Sequence, residues 1–151
     1  MISTTAETRS AAGAKLLRGG TLTVLRIGAG LLFLQHGVQK LFGLLGGVDG
    51  QGGTANLFSI FGLAGIFEVF GSLALILGLL TRPVALVLAA EMVTAYFLVH
   101  HGQGGFPIQN GGEVPLFFAL VFSYIAANGG GTIGVDRILA NRRKAAPELP
   151  V

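Results

Sequence analysis

Five ionisable side chains, Arg26, His36, Lys40, Glu68 and Glu91, sit inside long apolar runs of this 151-residue sequence, and a sixth, Glu113, stands at the mouth of another. A charge in such a run is costly unless it pairs or faces an internal cavity, so each is a candidate for function. His36 and Lys40 are four residues apart and share one helix face. Two carboxyls with a nearby lysine and histidine can hydrogen-bond a small polar ligand, exchange protons with it, or lock helices together as an ion network. Glu68 and Glu91 are too short to snorkel to the headgroups, so they either pair with Arg26, His36 or Lys40 or carry a proton. For Arg26 and Lys40, snorkelling to opposite membrane faces is the plain structural alternative. His100 and His101 are adjacent, point apart on a helix and make a poor metal pair, and no metal site is expected. The glycines at 102, 104, 105, 111 and 112 are expected as turns, because no lysine-bearing helix start follows them as in a phosphate-binding loop. The sequence has no cysteine, which excludes disulfides, thiolate metal ligation and thiol redox chemistry carried by this chain.

The elements that position these groups follow from composition. Hydrophobic residues make up 52% and charged residues only 11%, against about 25% charged in soluble domains. With a mean hydropathy of +0.72, lipid is the expected solvent. The first apolar run, about 22–45, is too long for a signal-peptide core and no cleavage site follows it, so it is expected to stay in the membrane. Further spans are expected at about 57–80, 83–99 and 114–127, with Thr81-Arg82-Pro83 as a structural turn between the second and third. A span needs about 20 residues to cross roughly 30 Å of hydrocarbon. The last two runs are short, and the loop before the fourth is expected to fold into the bundle. About fifteen Leu, Ile, Val and Phe residues surround Glu68, each favouring insertion by roughly 0.3–0.6 kcal/mol, which outweighs about 3 kcal/mol for the glutamate. Around Glu91 the terms nearly balance, so that span is expected to insert with help from its neighbours.

The expected fold is all-α: an integral membrane four-helix bundle. Residues 1–20 form a flexible cytoplasmic lead-in, 21–137 the transmembrane domain, and 138–151 a basic cytoplasmic tail begun by a short amphipathic helix. Arg9, Lys15 and Arg18 precede the first span, Arg82 lies between the second and third, and Arg137, Arg142, Arg143 and Lys144 follow the fourth. The other two connections carry no lysine or arginine, so the positive-inside rule places both termini in the cytoplasm. Glu68 and Glu91 then fall near the midplane, Arg26 one turn inside the cytoplasmic face, His36 and Lys40 in the outer half, and His100, His101 and Glu113 at the outer rim. The basic helix after the fourth span is expected on the anionic headgroups of membrane lipids or, equally, docked on a cytoplasmic partner, and no nucleic-acid partner is expected. Gly62, Gly65, Gly71 and Gly78 in the second span, and Ala119, Ser123 and Ala127 in the fourth, favour close helix packing.

Several of these positions recur as an ordered set: Arg26; Gly37-x-x-Lys40; Gly65-x-x-Glu68-x-x-Gly71; Gly78-Leu79-x-Thr81-Arg82; Gly111-Gly112-Glu113; and a glycine-rich stretch ending at Asp136. In that order and spacing the sequence resembles the DoxX family of small bacterial four-helix membrane proteins, over about residues 22–137. It departs from the family at Gly129–Asp136, where a Gly-Pro-Gly and a serine are usual. The family is named for a subunit of an archaeal thiosulfate:quinone oxidoreductase, and other members look like membrane partners of enzymes handling oxidative or thiol stress. The resemblance singles out Arg26, Lys40, Glu68, Arg82 and Glu113; His36 and Glu91 come from the depth argument alone. It implies an inner-membrane accessory subunit of a redox system. Such a subunit would hold a quinone or small-molecule site in the bundle, carry no intrinsic cofactor, and have a soluble or membrane oxidoreductase as partner. The alternatives are a non-enzymatic scaffold or assembly factor, and a small-solute or proton carrier. No inverted repeat of the kind many carriers show is present.

Overall fold

The computed structural model describes residues 3–145, which are helical apart from connecting turns and one isolated bridge between Gly47 and Gly53. The helices are α1 (Ser3–Phe42), α2 (Ile60–Leu77), α3 (Thr81–Ala95), the single turn α4 (Pro107–Asn110), α5 (Glu113–Asn128) and α6 (Val135–Ala145). Three stretches are long and apolar enough to cross a membrane: Gly13–Phe42, Ile60–Leu77 and Thr81–Gln103. The apolar helix α5 is shorter.

Residues 3–20, expected as a flexible lead-in, are instead helical and continuous with the first span. Alanine, leucine, lysine and arginine are good helix formers, and no proline occurs before Pro83 to interrupt them. At its other end α1 stops at Phe42, short of Leu45, because Gly43 turns left-handed at φ 67°. The third span is longer than expected. Beyond Ala95 the chain runs through a π-helical turn, Tyr96–His100, and a 3₁₀ turn, His101–Gln103, for 23 residues in all. The fourth stays short at 16 residues, and the loop before it folds inward. Asn110 is buried there, its side chain donating to the Gly104 carbonyl (3.1 Å) and accepting from the Gly112 N–H (2.8 Å). Those bonds satisfy backbone groups of this non-helical loop. The short basic helix expected after the fourth run is α6; residues 1, 2 and 146–151, including the end of the expected tail, lie outside the described residues.

Helix α1 packs chiefly on α2, and α3 on α5. The α1–α2 pair is antiparallel and close because glycines face it. A Cβ on Gly30 would lie 2.9 Å from Ile76, one on Gly37 2.8 Å from the Val69 backbone nitrogen, and one on Gly65 2.9 Å from Leu41. Ser59 caps α2 by accepting from the Gly62 N–H (3.1 Å). At the other end Gly78 (φ 69°) closes it, with Gly78 N–H bonded to Leu75 and Leu79 N–H to Ala74. The core where the two pairs meet holds Ala29 and Phe33 of α1, Leu75 of α2, Ala85, Leu88 and Met92 of α3, and Phe118, Phe122 and Ile125 of α5. Phe33 packs against Phe118 (tilted) and Phe122 (edge to face), with ring centroids 5.0 and 4.9 Å apart.

Candidate functional site

Lys40 and Glu68 form an ion pair across the α1–α2 interface. Their positions follow from the two Gly-x-x-charge motifs. Gly37 leaves room for Val69 and the Cβ of Glu68, while Gly65 leaves room for Leu41 and the Cβ of Lys40. In an antiparallel pair each glycine therefore stands opposite the other helix's charged residue, and the two charges converge. The loop holds this end of α1 in place, since the Ala55 N–H donates to the Lys40 carbonyl at 2.8 Å.

Glu68 is 1% exposed, and its second carboxylate oxygen, Oε2, has no hydrogen-bond partner. Glu91 of α3 faces the same space, and neither of its buried carboxylate oxygens has a partner. Lys40, Glu68, Glu91, His36 and His100 line a cavity of about 350 Å³, closed by Phe33, Phe61, Phe118 and Met92. That volume lies at the lower end of the range for small-ligand pockets. His36 meets Phe118 edge to face at 5.9 Å. His100 Nδ1 lies 2.9 Å from the Asn110 carbonyl; a carbonyl only accepts, so Nδ1 carries the proton. The wall at Glu91 is thin. Glu91, Phe61, Ala64, Ala95 and Val99 also line a groove of about 370 Å³ between α2 and α3, otherwise bounded by exposed apolar residues such as Leu63, Phe67 and Leu98. A buried carboxyl without donor or counter-charge is strongly unfavourable when ionised, so the arrangement suits a ligand bearing hydrogen-bond acceptors or donors of its own.

Of the residues singled out in the sequence, the structure thus brings together His36, Lys40, Glu68 and Glu91. Arg26 and Glu113 are not with them. Arg26 is 1% exposed and neither snorkels nor meets a glutamate. Its guanidinium donates to the Leu75 and Ile76 carbonyls at the end of α2, to Gly130 (3.0 Å) and to Ile133 (2.7 Å). Two of these acceptors lie where α2 ends and two in the segment after α5, so Arg26 fastens these parts to α1. Glu113 is exposed at the first turn of α5, where the helix dipole favours an acid, and lines an outer groove with Gln35 and the far side of His36. Arg82 is exposed at the start of α3. Among the described residues no group of three or more His, Cys, Asp or Glu is placed to hold a metal ion. Two residues take roles that the sequence did not assign to them. His100 reaches the cavity through the π turn. Asp136 accepts from the Leu80 and Thr81 N–H groups (2.8 Å each) and so caps α3 from a distant helix.

Comparison with known proteins agrees with this arrangement of motifs. The DoxX family model matches residues 21–101, which include Lys40, Glu68 and Glu91. A Haemophilus influenzae protein described only as uncharacterized is 39% identical over 118 residues, covering 76% of this chain and 87% of the relative. No solved structure matches. The chain belongs to the DoxX family.

Proposed function

We propose that the protein spans the bacterial inner membrane four times, with both termini cytoplasmic, and serves as an accessory subunit of a redox system whose bundle cavity binds a quinone headgroup. The observation that carries this reading is the buried carboxyl of Glu91, left without a partner beside the Lys40–Glu68 pair and only a thin wall from a lipid-side groove. A quinone, when bound, supplies a reducible ring with two carbonyl acceptors on an apolar tail. The Lys40 ammonium and a protonated Glu91 are donors of the kind those carbonyls need. Phe33, Phe61, Phe118 and Met92 offer an apolar slot for a ring, and the α2–α3 groove offers a path for a tail. His36 and His100 stand at the same cavity as groups able to relay protons. With no cysteine in the chain to carry thiol redox chemistry, the electrons come from a partner oxidoreductase or a bound cofactor. Orientation rests on the basic residues: Lys15, Arg18, Arg82 and Arg137 gather at the α6 end of the bundle, and the opposite connections have none.

Titration of the purified protein with a short-chain ubiquinone or menaquinone tests the site. Lys40→Ala and Glu91→Gln are expected to weaken binding at least tenfold while the protein stays folded. Equal affinity in wild type and both variants, or no binding at all, defeats the proposal. A scaffold is the second reading, favoured by Arg26, whose hydrogen bonds all serve the fold. It predicts instead that Glu68→Gln lowers stability or partner co-purification with no effect on any ligand.

A further inference from the structure

A second cavity, of about 590 Å³, opens at the α6 end of the bundle. Four cations from three parts of the chain surround it: Lys15 and Arg18 of α1, Arg82 of α3 and Arg137 of α6. Among the described residues none of the four forms a salt bridge; the one ion pair present is Lys40–Glu68. Arg18 donates one hydrogen bond, to the Asn128 side chain at 2.6 Å. The cavity's single acid is Asp136, and both its oxygens are already engaged by the Leu80 and Thr81 N–H groups. Four positive charges around one space against the single carboxylate of Asp136 leave it net positive, and a further anion there relieves that.

The Gly129-Gly130-Gly131 turn forms another part of the wall. It is held rigidly against α1, by Arg26 Nε on the Gly130 carbonyl (3.0 Å) and by the Thr132 N–H on Thr23 Oγ1 (3.0 Å). The Gly130 and Gly131 N–H groups take no part in backbone hydrogen bonds among the described residues. Guanidinium forks match tetrahedral oxyanions in geometry. The cavity also lies where α2 and α5 end and α3 begins, which the proposed four-span arrangement puts at the depth of lipid headgroups.

We propose that this cavity binds a phosphate group of net negative charge, presented by an anionic lipid headgroup or by a small soluble phosphate ester. It is separate from the Lys40–Glu68 cavity at the other end of the bundle, and its ligand does not depend on what that cavity holds.

The test titrates the detergent-purified full chain with dihexanoyl-phosphatidylglycerol, with dihexanoyl-phosphatidylcholine and with glycerol 3-phosphate, following binding by native mass spectrometry or calorimetry. The phosphatidylglycerol is expected to bind about tenfold or more tighter than the zwitterionic lipid. Arg82→Gln with Arg137→Gln should weaken that binding about thirtyfold, at roughly fivefold per cation. The same charge removed outside the cavity, as Arg142→Gln with Arg143→Gln, should change it less than threefold. Glycerol 3-phosphate binding as tightly as the lipid, with the same dependence on Arg82 and Arg137, supports the site with a soluble ester as its source. Indifference between the two lipids together with no phosphate-ester binding overturns the proposal. So does an equal loss in the two double variants, because the attraction would then be general surface charge.

Discussion

Arg26 and Asp136 hold one turn by its two opposite polarities. Arg26 donates to the Leu75 and Ile76 carbonyls where α2 ends, and Asp136 accepts from the Leu80 and Thr81 amides where α3 begins. The Asp136 N–H also donates to the Gly78 carbonyl (2.8 Å) in the middle of the turn. Both sets of backbone groups are the ones a helix cannot satisfy by itself. The same two side chains tie the segment after α5 back onto α1 and the α2–α3 turn, since Arg26 also takes the Gly130 and Ile133 carbonyls.

Replacing Arg26 by methionine keeps much of its volume and removes the hydrogen bonds it donates to those four carbonyls. The expected loss is about 3 kcal/mol of stability, read as a lower Tm in detergent. Arg26→Lys should recover only part of it, because an ammonium cannot reach acceptors spread around a planar fork. Quinone affinity of the folded fraction should not change. An unaltered Tm with lost ligand binding would place Arg26 in the cavity machinery instead.

Asp136 gives the fold a dependence on pH. Burial works to raise its carboxyl, but hydrogen bonds from Thr81 and Leu80, helped by the Arg26 guanidinium, outweigh that and hold it below the ordinary value of 3.8. The fold therefore prefers the ionised form. Its contribution is fully present above the unfolded value and disappears as pH falls through the depressed one. Asp136→Ala is expected to cost about 1 kcal/mol at neutral pH, the scale of a lost helix cap. The Tm gap between wild type and variant should close below about pH 4. A gap that stays constant down to pH 3 would show that the carboxylate charge does not matter.

These two residues also mark what a sequence can reveal here. The cost of an arginine inside an apolar run is visible from composition, but its remedy is a set of backbone carbonyls that carry no residue signature. Arg26 therefore reads as a ligand group or a snorkelling side chain, while the structure sets its guanidinium on backbone carbonyls. Lys40 and Glu68 were easier, because a glycine three residues before each charge is a pattern, and depth put both in the bundle. That each glycine faces the other helix's charge emerges only from the antiparallel register. His100 depends on the π turn at Tyr96–His100, which no periodicity foretells. The helical residues 3–20 lack an apolar stripe, so their polarity suggested irregular chain although their propensities allowed a helix.

The register itself can be tested with two glycines of α1. A methyl group on Gly37 would lie 2.8 Å from the Val69 backbone nitrogen and 3.0 Å from the Glu68 Cβ, so α2 would have to move away. Gly37→Ala is expected to destabilise by about 1–3 kcal/mol and to loosen the Lys40–Glu68 pair. Gly28 meets nothing within 4 Å of such a methyl, and Gly28→Ala should be neutral or stabilising by up to about 1 kcal/mol through helix propensity. Thermal melts of the two variants side by side separate close packing from a general dislike of alanine. Equal effects at both positions would contradict the interlocked register.

Glu91 sets stability against function. Among the described residues its carboxyl oxygens are buried with no donor, which the ligand-free bundle gains nothing by keeping. Glu91→Leu fills a similar volume with apolar atoms and is expected to raise stability by about 1–3 kcal/mol. It should also abolish quinone binding, since it removes the donor on the cavity wall. Glu91→Gln keeps an amide donor, so it should give a smaller stability gain and retain more affinity than leucine. Melting curves and quinone titrations on the same three proteins decide the matter. If leucine destabilises the protein, Glu91 has a partner in the folded state that serves the fold, and the scaffold reading becomes the better one.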